Sequence, residues 1–282
     1  MKEPVYVVGG GRMGRGIAQT IAAAGFNTVI CELNQQLADS AIARIRDSLQ
    51  AAVEHEKISI GQMNKTLGNL SAVSDLKKVS NAALVIEAIV ENLNAKKTLF
   101  SELDSICDSS TILATNTSAL SISDIASVCG DPGRVVGMHF FNPVPSMKLV
   151  EIVCGADTRE NIAEDVMSFV ESIGKNPVLV KESPGFIVNR LVIPLINEAA
   201  IVASENTATV KDIDTAMKLG AAHPMGPLAL ADLIGIDIVV EILETLATEL
   251  GDEKYKPCWL LHKMIAEGKL GKKTGSGFYD YA

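Results

Sequence analysis

The chain has 282 residues, a formal net charge of −9 and 48% hydrophobic residues. The acidic balance argues against general binding to nucleic acid or to anionic membranes, and the apolar content is sufficient for a sizeable core. No apolar run reaches the roughly 18 uncharged residues that a membrane span requires, and the N-terminal segment does not have the pattern of a signal peptide. The five cysteines show no CxxC spacing, which predicts reduced thiols in a cytoplasmic protein.

A strand, a helix and a second strand are predicted at the start of the chain. The segment VYVVGG at 5–10 is typical of a short buried strand that ends at glycine. Apolar residues then recur at helical spacing from Met13 to Ile21, and Gly25 is a plausible helix stop. The segment NTVICE at 27–32 is the second strand. This order predicts a parallel strand pair with a right-handed crossover.

Residues 35–66 interrupt that alternation. A long amphipathic pattern runs from Ile42 to Val53, and a shorter helix is indicated after Gly61. An ordinary crossover is shorter, so this segment predicts a helical hairpin that makes an excursion from the sheet. Strands and helices then alternate, which predicts a Rossmann-like doubly wound α/β sheet. The strands fall in 82–90, 111–118, 134–141, 149–155 and 176–181, and the helices in 94–107, 121–128 and 158–173.

From residue 185 to residue 282 the pattern is helical. A long apolar segment follows Pro184, and further helices end near Gly220 and Gly251. This region is apolar on too many faces for a solvated bundle. We therefore predict two domains, 1–184 and 185–282, in which the all-α second domain packs on the first, on a second copy of itself, or on both. The apolar faces favour a homodimer.

Gly9, Gly11 and Gly14 form a G-x-G-x-x-G motif between the first strand and the first helix. In such a turn the first glycine permits the tight bend, the second lets a pyrophosphate approach the backbone, and the third allows helix–strand packing. Glu32 ends the next strand about 20 residues on, where a carboxylate accepts hydrogen bonds from ribose hydroxyls and repels a 2′-phosphate. The motif therefore predicts NAD in preference to NADP. A glycine turn used only for packing is the alternative.

Polar residues follow three of the later predicted strands. In a doubly wound sheet, ligands bind beyond the carboxyl ends of the strands. A single polar residue there can be a strand cap or a satisfied core group, but three such ends that converge on one crevice favour a binding site. The candidates are Glu87, Glu91, Asn116, Thr117, Ser118, His139 and Asn142.

His139 and Glu151 lie twelve residues apart, on either side of the proline-rich segment NPVPSMK. A turn in that segment would return the chain and let Glu151 reach His139. A carboxylate on one ring nitrogen fixes the tautomer and leaves the other nitrogen as a proton acceptor, which an enzyme that oxidises a hydroxyl requires. A neutral core histidine bonded to a backbone carbonyl is the alternative. No cluster of His or Cys has metal-ligand spacing, so no metal site is predicted.

Seven blocks in chain order resemble the L-3-hydroxyacyl-CoA dehydrogenase family, and most closely its stand-alone 3-hydroxybutyryl-CoA dehydrogenases. The blocks are GGGRMGRGIAQ, VIEAIVENL, ATNTSALSI, HFFNPVPSMKLVEIV, SPGFIVNR, DIDTAMKLGAAHPMGPLAL and GKKTGSGFY. The resemblance implies NAD-dependent oxidation of a (3S)-3-hydroxyacyl-CoA to the 3-oxoacyl-CoA, or the reverse reaction.

The resemblance also implies roles for individual residues. The catalytic set would be His139, Glu151, Ser118 and Asn189. The cofactor would contact Gly9, Gly10, Gly11, Arg12, Met13, Gly14, Glu32, Glu91, Lys96, Ser118, Asn142 and Lys273. The excursion matches a hairpin that covers CoA in the family, so the acyl-CoA substrate would contact Ser118, Asn189, Ser48 and His55.

His55 is a departure from the family pattern, because relatives often carry a lysine on that hairpin. Histidine is largely neutral at pH 7, whereas CoA is a polyanion and this chain is acidic. Phosphate recognition would then depend on other basic residues such as Arg44, Arg46 or Lys57. A solvated helix face is the alternative interpretation of those three charges.

Two other functions remain open on the sequence. One is a catalytically silent NAD-binding structural protein of the same fold, which would tolerate losses among the four catalytic positions; all four are present here. The other is a dehydrogenase of the hydroxyisobutyrate or sugar-acid type. Such enzymes use a catalytic lysine in their helical half, and no corresponding block is evident.

Overall fold

The computed structural model describes residues 4–281. The chain forms two compact units, with the boundary between Ser183 and Pro184. That boundary lies one residue before the one proposed from the sequence. Each unit has a hydrophobic core of its own.

An eight-stranded sheet forms the centre of the first unit. Its strands are β1 (Val5–Val8), β2 (Thr28–Cys31), β3 (Leu70–Val73), β4 (Leu84–Glu87), β5 (Ile112–Thr115), β6 (Val135–Phe140), β7 (Leu149–Cys154) and β8 (Asn176–Lys181). They lie in the order β3-β2-β1-β4-β5-β6-β7-β8, and neighbours are parallel except β6 and β7. The predicted doubly wound sheet is confirmed. Its inner strands are short apolar runs because helices cover both faces of a parallel sheet.

The helices of the first unit come between these strands. They are α1 (Arg12–Ala23), α2 (Gln35–Glu54), α3 (Ile60–Gly68), α4 (Leu93–Ile106), α5 (Ile122–Ala126) and α6 (Glu160–Ser172). Helices α2 and α3 are the predicted hairpin. Asn34 caps α2 by accepting a hydrogen bond from the Leu37 amide, and Ser59 and Gln62 form a capping box at the start of α3.

The hairpin is anchored by one apolar face and then returns to the sheet. Ala41, Ile45 and Leu49 of α2 are buried in the core of the first unit. After α3 the chain forms β3, which pairs with β2 at the edge of the sheet. Strand β3 was not predicted from the sequence. Its four residues are partly or largely exposed, so they lack the continuous apolar run that marks the inner strands.

The second unit is helical, as predicted. Its helices are α7 (Val188–Ser204), α8 (Val210–Gly220), α9 (Pro227–Ile234), α10 (Ile236–Leu250) and α11 (Trp259–Ala266). Beyond them, two isolated bridges link the segment from Gly271 to Asp280. In the described part of the chain, no helix combines the length and the apolar character needed to cross a bilayer.

The C-terminal segment is fixed to the second unit by two buried aspartates. Asp232 accepts hydrogen bonds from the backbone amides of Phe278 at 2.8 Å and Tyr279 at 2.9 Å, and from the Tyr281 phenol at 3.0 Å. Asp214 accepts the Tyr279 phenol at 2.8 Å and also caps the start of α9. Burial, followed by these bonds to carboxylates, raises the pKa of both phenols, that of Tyr281 to about 12. The block GKKTGSGFY is therefore part of the folded unit.

Candidate active site

The glycine turn between β1 and α1 has the geometry of a phosphate cradle. Gly9 adopts a φ of +102° in the left-handed region, and a Cβ on Gly14 would lie 1.8 Å from the Gly9 carbonyl oxygen. A Cβ on Gly11 would meet nothing within 4 Å. Gly11 is the N-cap of α1, so no side chain of the N-cap residue binds the first amides of the helix. Such amides and the helix dipole favour an anion.

Glu32 lies beside this turn, immediately after β2. One carboxylate oxygen accepts the Gly10 amide at 2.6 Å, and the other accepts the Leu33 amide at 3.0 Å. The Arg15 guanidinium also donates to the Gly10 carbonyl, at 2.8 Å. The backbone therefore fixes a carboxylate next to an open phosphate cradle, and this combination fits a dinucleotide.

The strand order of the sheet reverses between β1 and β4. Val8 at the end of β1 is the direct neighbour of Glu87 at the end of β4. In open α/β sheets the ligand crevice lies at this switch point, beyond the carboxyl ends of the strands. The polar residues that follow β4, β5 and β6 thus lie on the side of the crevice opposite Glu32.

Glu87 is the buried centre of a charged network at that edge. Its side chain is 0% exposed. One carboxylate oxygen accepts hydrogen bonds from the Lys96 ammonium at 2.6 Å and from the Ile89 amide at 2.7 Å. The other oxygen accepts a hydrogen bond from the Thr115 hydroxyl at 2.6 Å. Lys96, from the first turn of α4, is itself only 1% exposed. A buried ion pair with its remaining hydrogen bonds satisfied holds its partners in a defined geometry.

Glu91 extends this network to the loop that follows β5. It lies 3.2 Å from the Lys96 ammonium. Its other oxygen accepts the Thr117 hydroxyl at 2.5 Å and the Ser118 amide at 2.8 Å. The loop that carries Ser118 is therefore held through Glu91 and Lys96 by Glu87. Asn116 adds a link to β6, since its side chain accepts the Phe140 amide at 2.9 Å.

His139 and Glu151 form a direct pair. They are opposite each other in the antiparallel register of β6 and β7, and Nδ1 of His139 lies 2.7 Å from Oε2 of Glu151. His139 is 4% exposed and Glu151 is 1% exposed. The turn predicted in NPVPSMK thus does bring the two side chains together, because side chains opposite in adjacent strands lie on the same face.

The segment 141–148 forms the turn between β6 and β7. Phe141, its first residue, lies against the His139 ring with the two ring centroids 4.5 Å apart. Asn142 follows and is exposed. The turn is therefore one wall of the histidine's surroundings, and it carries a second residue that was predicted for the site.

The remaining predicted residues lie on α1, on α2 and in the second unit. Ser48 is exposed on α2, and His55 is exposed at its C-cap. Asn189 is in the first turn of α7, in the second unit. Lys273 is also in the second unit, where its ammonium lies 2.5 Å from Oδ1 of Asp237. Arg12 and Met13 are the first residues of α1.

Three parts of the site were missed or understated by sequence reasoning. Thr115 contacts Glu87 from the neighbouring strand, and Lys96 contacts it from α4. Neither contact has a pattern along the chain. Lys175, which binds the turn at 141–148, has no signal beyond being a charged residue before an apolar strand. A surface cleft of about 460 Å³ borders Lys175 and Thr20. It lies at the far end of α1 from the glycine turn, so it is not the cofactor crevice.

A dinucleotide crevice with a carboxylate-paired histidine at its edge is typical of nicotinamide-dependent dehydrogenases. Residues 4–183 match the family model of the 3-hydroxyacyl-CoA dehydrogenase NAD binding domain, and residues 185–281 match that of the 3-hydroxyacyl-CoA dehydrogenase C-terminal domain. The chain therefore belongs to the 3-hydroxyacyl-CoA dehydrogenase family. The resemblance, the oxidoreductase class and the NAD-binding first domain are confirmed.

Individual relatives are similar over almost the whole chain. A 3-hydroxybutyryl-CoA dehydrogenase of Clostridioides difficile is 47% identical, with 98% of each chain covered. One from Bradyrhizobium diazoefficiens is 41% identical over 99% of this chain and 95% of the relative. The crystal structure of an (S)-3-hydroxybutyryl-CoA dehydrogenase from Ralstonia eutropha superposes with a TM-score of 0.95 at 41% identity, covering 99% of this chain and 98% of that one.

Proposed function

We propose that this protein interconverts (3S)-3-hydroxyacyl-CoA and 3-oxoacyl-CoA thioesters, with 3-hydroxybutyryl-CoA as its typical substrate. The buried pair of His139 and Glu151 at the edge of the dinucleotide crevice carries this proposal. The names of similar relatives support the short acyl chain.

The cofactor is NAD rather than NADP, because a 2′-phosphate would meet the fixed carboxylate of Glu32. The turn from Gly9 to Gly14 holds the pyrophosphate, and Glu32 accepts from the adenosine ribose. When bound, NAD supplies the hydride acceptor. The remaining cofactor contacts come from Glu91, Lys96, Ser118, Asn142 and Lys273.

His139 moves the proton of the reaction. Nδ1 faces Glu151. Nε2 is therefore the atom that accepts the proton of the substrate's 3-hydroxyl group, as hydride leaves C3, the carbon that carries this group. The Glu151 carboxylate stabilises the imidazolium that forms and keeps the ring oriented. In the reverse direction the imidazolium returns this proton to the 3-oxo oxygen.

Ser118 and Asn189 orient the substrate oxygens. The Ser118 backbone is fixed by Glu91, so its side chain is presented from a rigid loop. The CoA moiety contacts Ser48 and His55, and the exposed Arg44 and Arg46 of α2 provide local positive charge in an acidic chain.

A homodimer in the cytoplasm is the assembly we propose. The second unit leaves large apolar side chains exposed, Leu219 at 82%, Leu191 at 67% and Trp259 at 60%, and a second copy would cover them. Light scattering over a range of concentrations should give a mass about twice the 29.9 kDa of one chain; a constant monomer mass would contradict the dimer.

The five unpaired cysteines fit a reducing compartment, and recovery of the protein in a secreted fraction would contradict that location.

His139→Gln tests the catalytic assignment. Loss of the proton acceptor should lower turnover of acetoacetyl-CoA with NADH by about 10²–10⁴-fold. NADH binding, measured by its fluorescence, should be unchanged because the cofactor cradle is intact. His262→Gln, on the exposed face of α11, is the matched control and should keep wild-type turnover. Near-normal turnover in His139→Gln would sink the assignment.

A further inference from the structure

Lys175 is a buried lysine that the proposed reaction does not use. It lies between α6 and β8 and is 5% exposed. Its ammonium donates to the carbonyl oxygens of Val144 and Met147, each at 2.6 Å. Within residues 4–281, no carboxylate lies within ion-pair distance of it. Burial, together with the charge of Lys148, lowers the pKa of Lys175.

Both of these carbonyls belong to the turn at 141–148. The turn is held from two further directions. Val144 is buried against α1, since a Cβ on Gly16 would lie 2.9 Å from the Val144 Cβ. The Asn176 amide at the start of β8 donates to the Lys148 carbonyl at 2.8 Å. Lys175 is the side chain that binds the middle of the turn.

A buried ammonium without a carboxylate partner is unfavourable unless hydrogen bonds compensate for its lost hydration. Here the two carbonyls provide that compensation, and the ammonium in turn satisfies carbonyls that no strand ladder or helix reaches. The arrangement ties the conformation of the turn to one side chain on a different element.

The turn connects directly to the candidate active site. Phe141 lies against the His139 ring, and Asn142 is the next residue. The two strands that the turn joins carry His139 and Glu151 opposite each other. A displacement of the turn would therefore move the wall of the proton acceptor and a cofactor-side residue together.

We propose that Lys175 is a positioning residue for hydride transfer, which fixes the turn at 141–148 and thereby Phe141 beside His139 and Asn142 at the crevice. This inference rests on the proposed function of the same site. Lys175 touches neither substrate nor cofactor; it acts through the backbone of the turn.

Lys175→Met tests the inference, because it keeps the length of the side chain and removes its donors. Misplacement of reacting groups by about 1 Å can cost about 10²-fold in rate, so kcat per folded molecule should fall by about 10–10²-fold. NADH affinity should weaken through Asn142, and the KM for acetoacetyl-CoA should stay unchanged. A purely structural lysine would lower the melting temperature and leave kcat and NADH affinity of the folded protein unaltered.

Two further variants complete the experiment. Lys175→Arg keeps donors for the carbonyls and should recover most of the lost kcat. Lys181→Met makes the same substitution on the exposed end of β8 and should behave as wild type. If Lys175→Met does not fold, Lys175→Leu replaces it, since leucine also has no donor for the two carbonyls. Wild-type kcat and NADH affinity in the folded Met or Leu variant would overturn the inference.

Failure of the proposed function would be seen separately. It would show as a wild-type protein without turnover of acetoacetyl-CoA. In that case the NADH affinity of the Lys175 variants, measured by titration, still shows whether the turn has moved. Unchanged NADH affinity would then overturn the inference, and weakened affinity restored by Arg would support it.

Discussion

His139 and Glu151 meet because of strand register. A shift of one residue between β6 and β7 would move their side chains to opposite faces of the sheet. The two prolines between them made a turn predictable, and with it the pairing. The contacts around the pair were not predictable, because the hydrogen bonds from Lys175 to the turn and the packing of Phe141 on His139 are tertiary contacts that sequence periodicity does not encode.

Gly11 offers a test of the cofactor cradle at the scale of one residue. Its φ of −64° suits alanine, and the added methyl group would meet no protein atom within 4 Å. Gly11→Ala should therefore fold normally. The methyl group would fill the space where the pyrophosphate approaches the backbone, so the Kd for NADH should rise about tenfold or more, equivalent to about 1.4 kcal/mol.

The control for this variant is Gly68→Ala at the end of α3. A Cβ there also meets nothing within 4 Å, and the position is outside the glycine turn. Isothermal titration with NADH compares the two variants. Wild-type affinity in Gly11→Ala would show that the cofactor does not approach the backbone at this turn.

At the scale of elements, predictability followed the apolar pattern along the chain. The inner strands β1, β4, β5 and β6 are almost wholly buried, and each is a short apolar run in the sequence. The hairpin of α2 and α3 was predictable because its amphipathic pattern is too long for an ordinary crossover. The edge strand β3 was not, because its sequence LSAV has no continuous run of β-branched or large apolar residues.

The network at the ends of β4 and β5 was also predictable only in part. The sequence placed Glu87, Glu91 and Ser118 at strand ends, which made a crevice predictable. It could not show that Lys96 joins the two glutamates, since that contact depends on the approach of α4 to the sheet. The sequence therefore predicted which residues belong to the crevice, whereas the hydrogen bonds and ion pairs between them are visible only in the structure.

At the scale of the whole molecule, two units divide the chain into a sheet domain with the dinucleotide crevice and a helical domain. The change from alternating strands and helices to continuous helical patterns marked this division in the sequence. The predicted residues Asn189 and Lys273 belong to the helical domain. Under the proposed function, recognition of the adenosine part of NAD uses residues of the first unit.

The central claim is that the protein reduces and oxidises acyl-CoA thioesters with NAD. Steady-state assays of the purified wild type with acetoacetyl-CoA or free acetoacetate, each with NADH or NADPH, test it most directly. We predict that kcat/KM for acetoacetyl-CoA with NADH exceeds that of each other combination by about 10²-fold or more. Turnover of the free acid without turnover of the thioester, or no turnover of either, would contradict the claim.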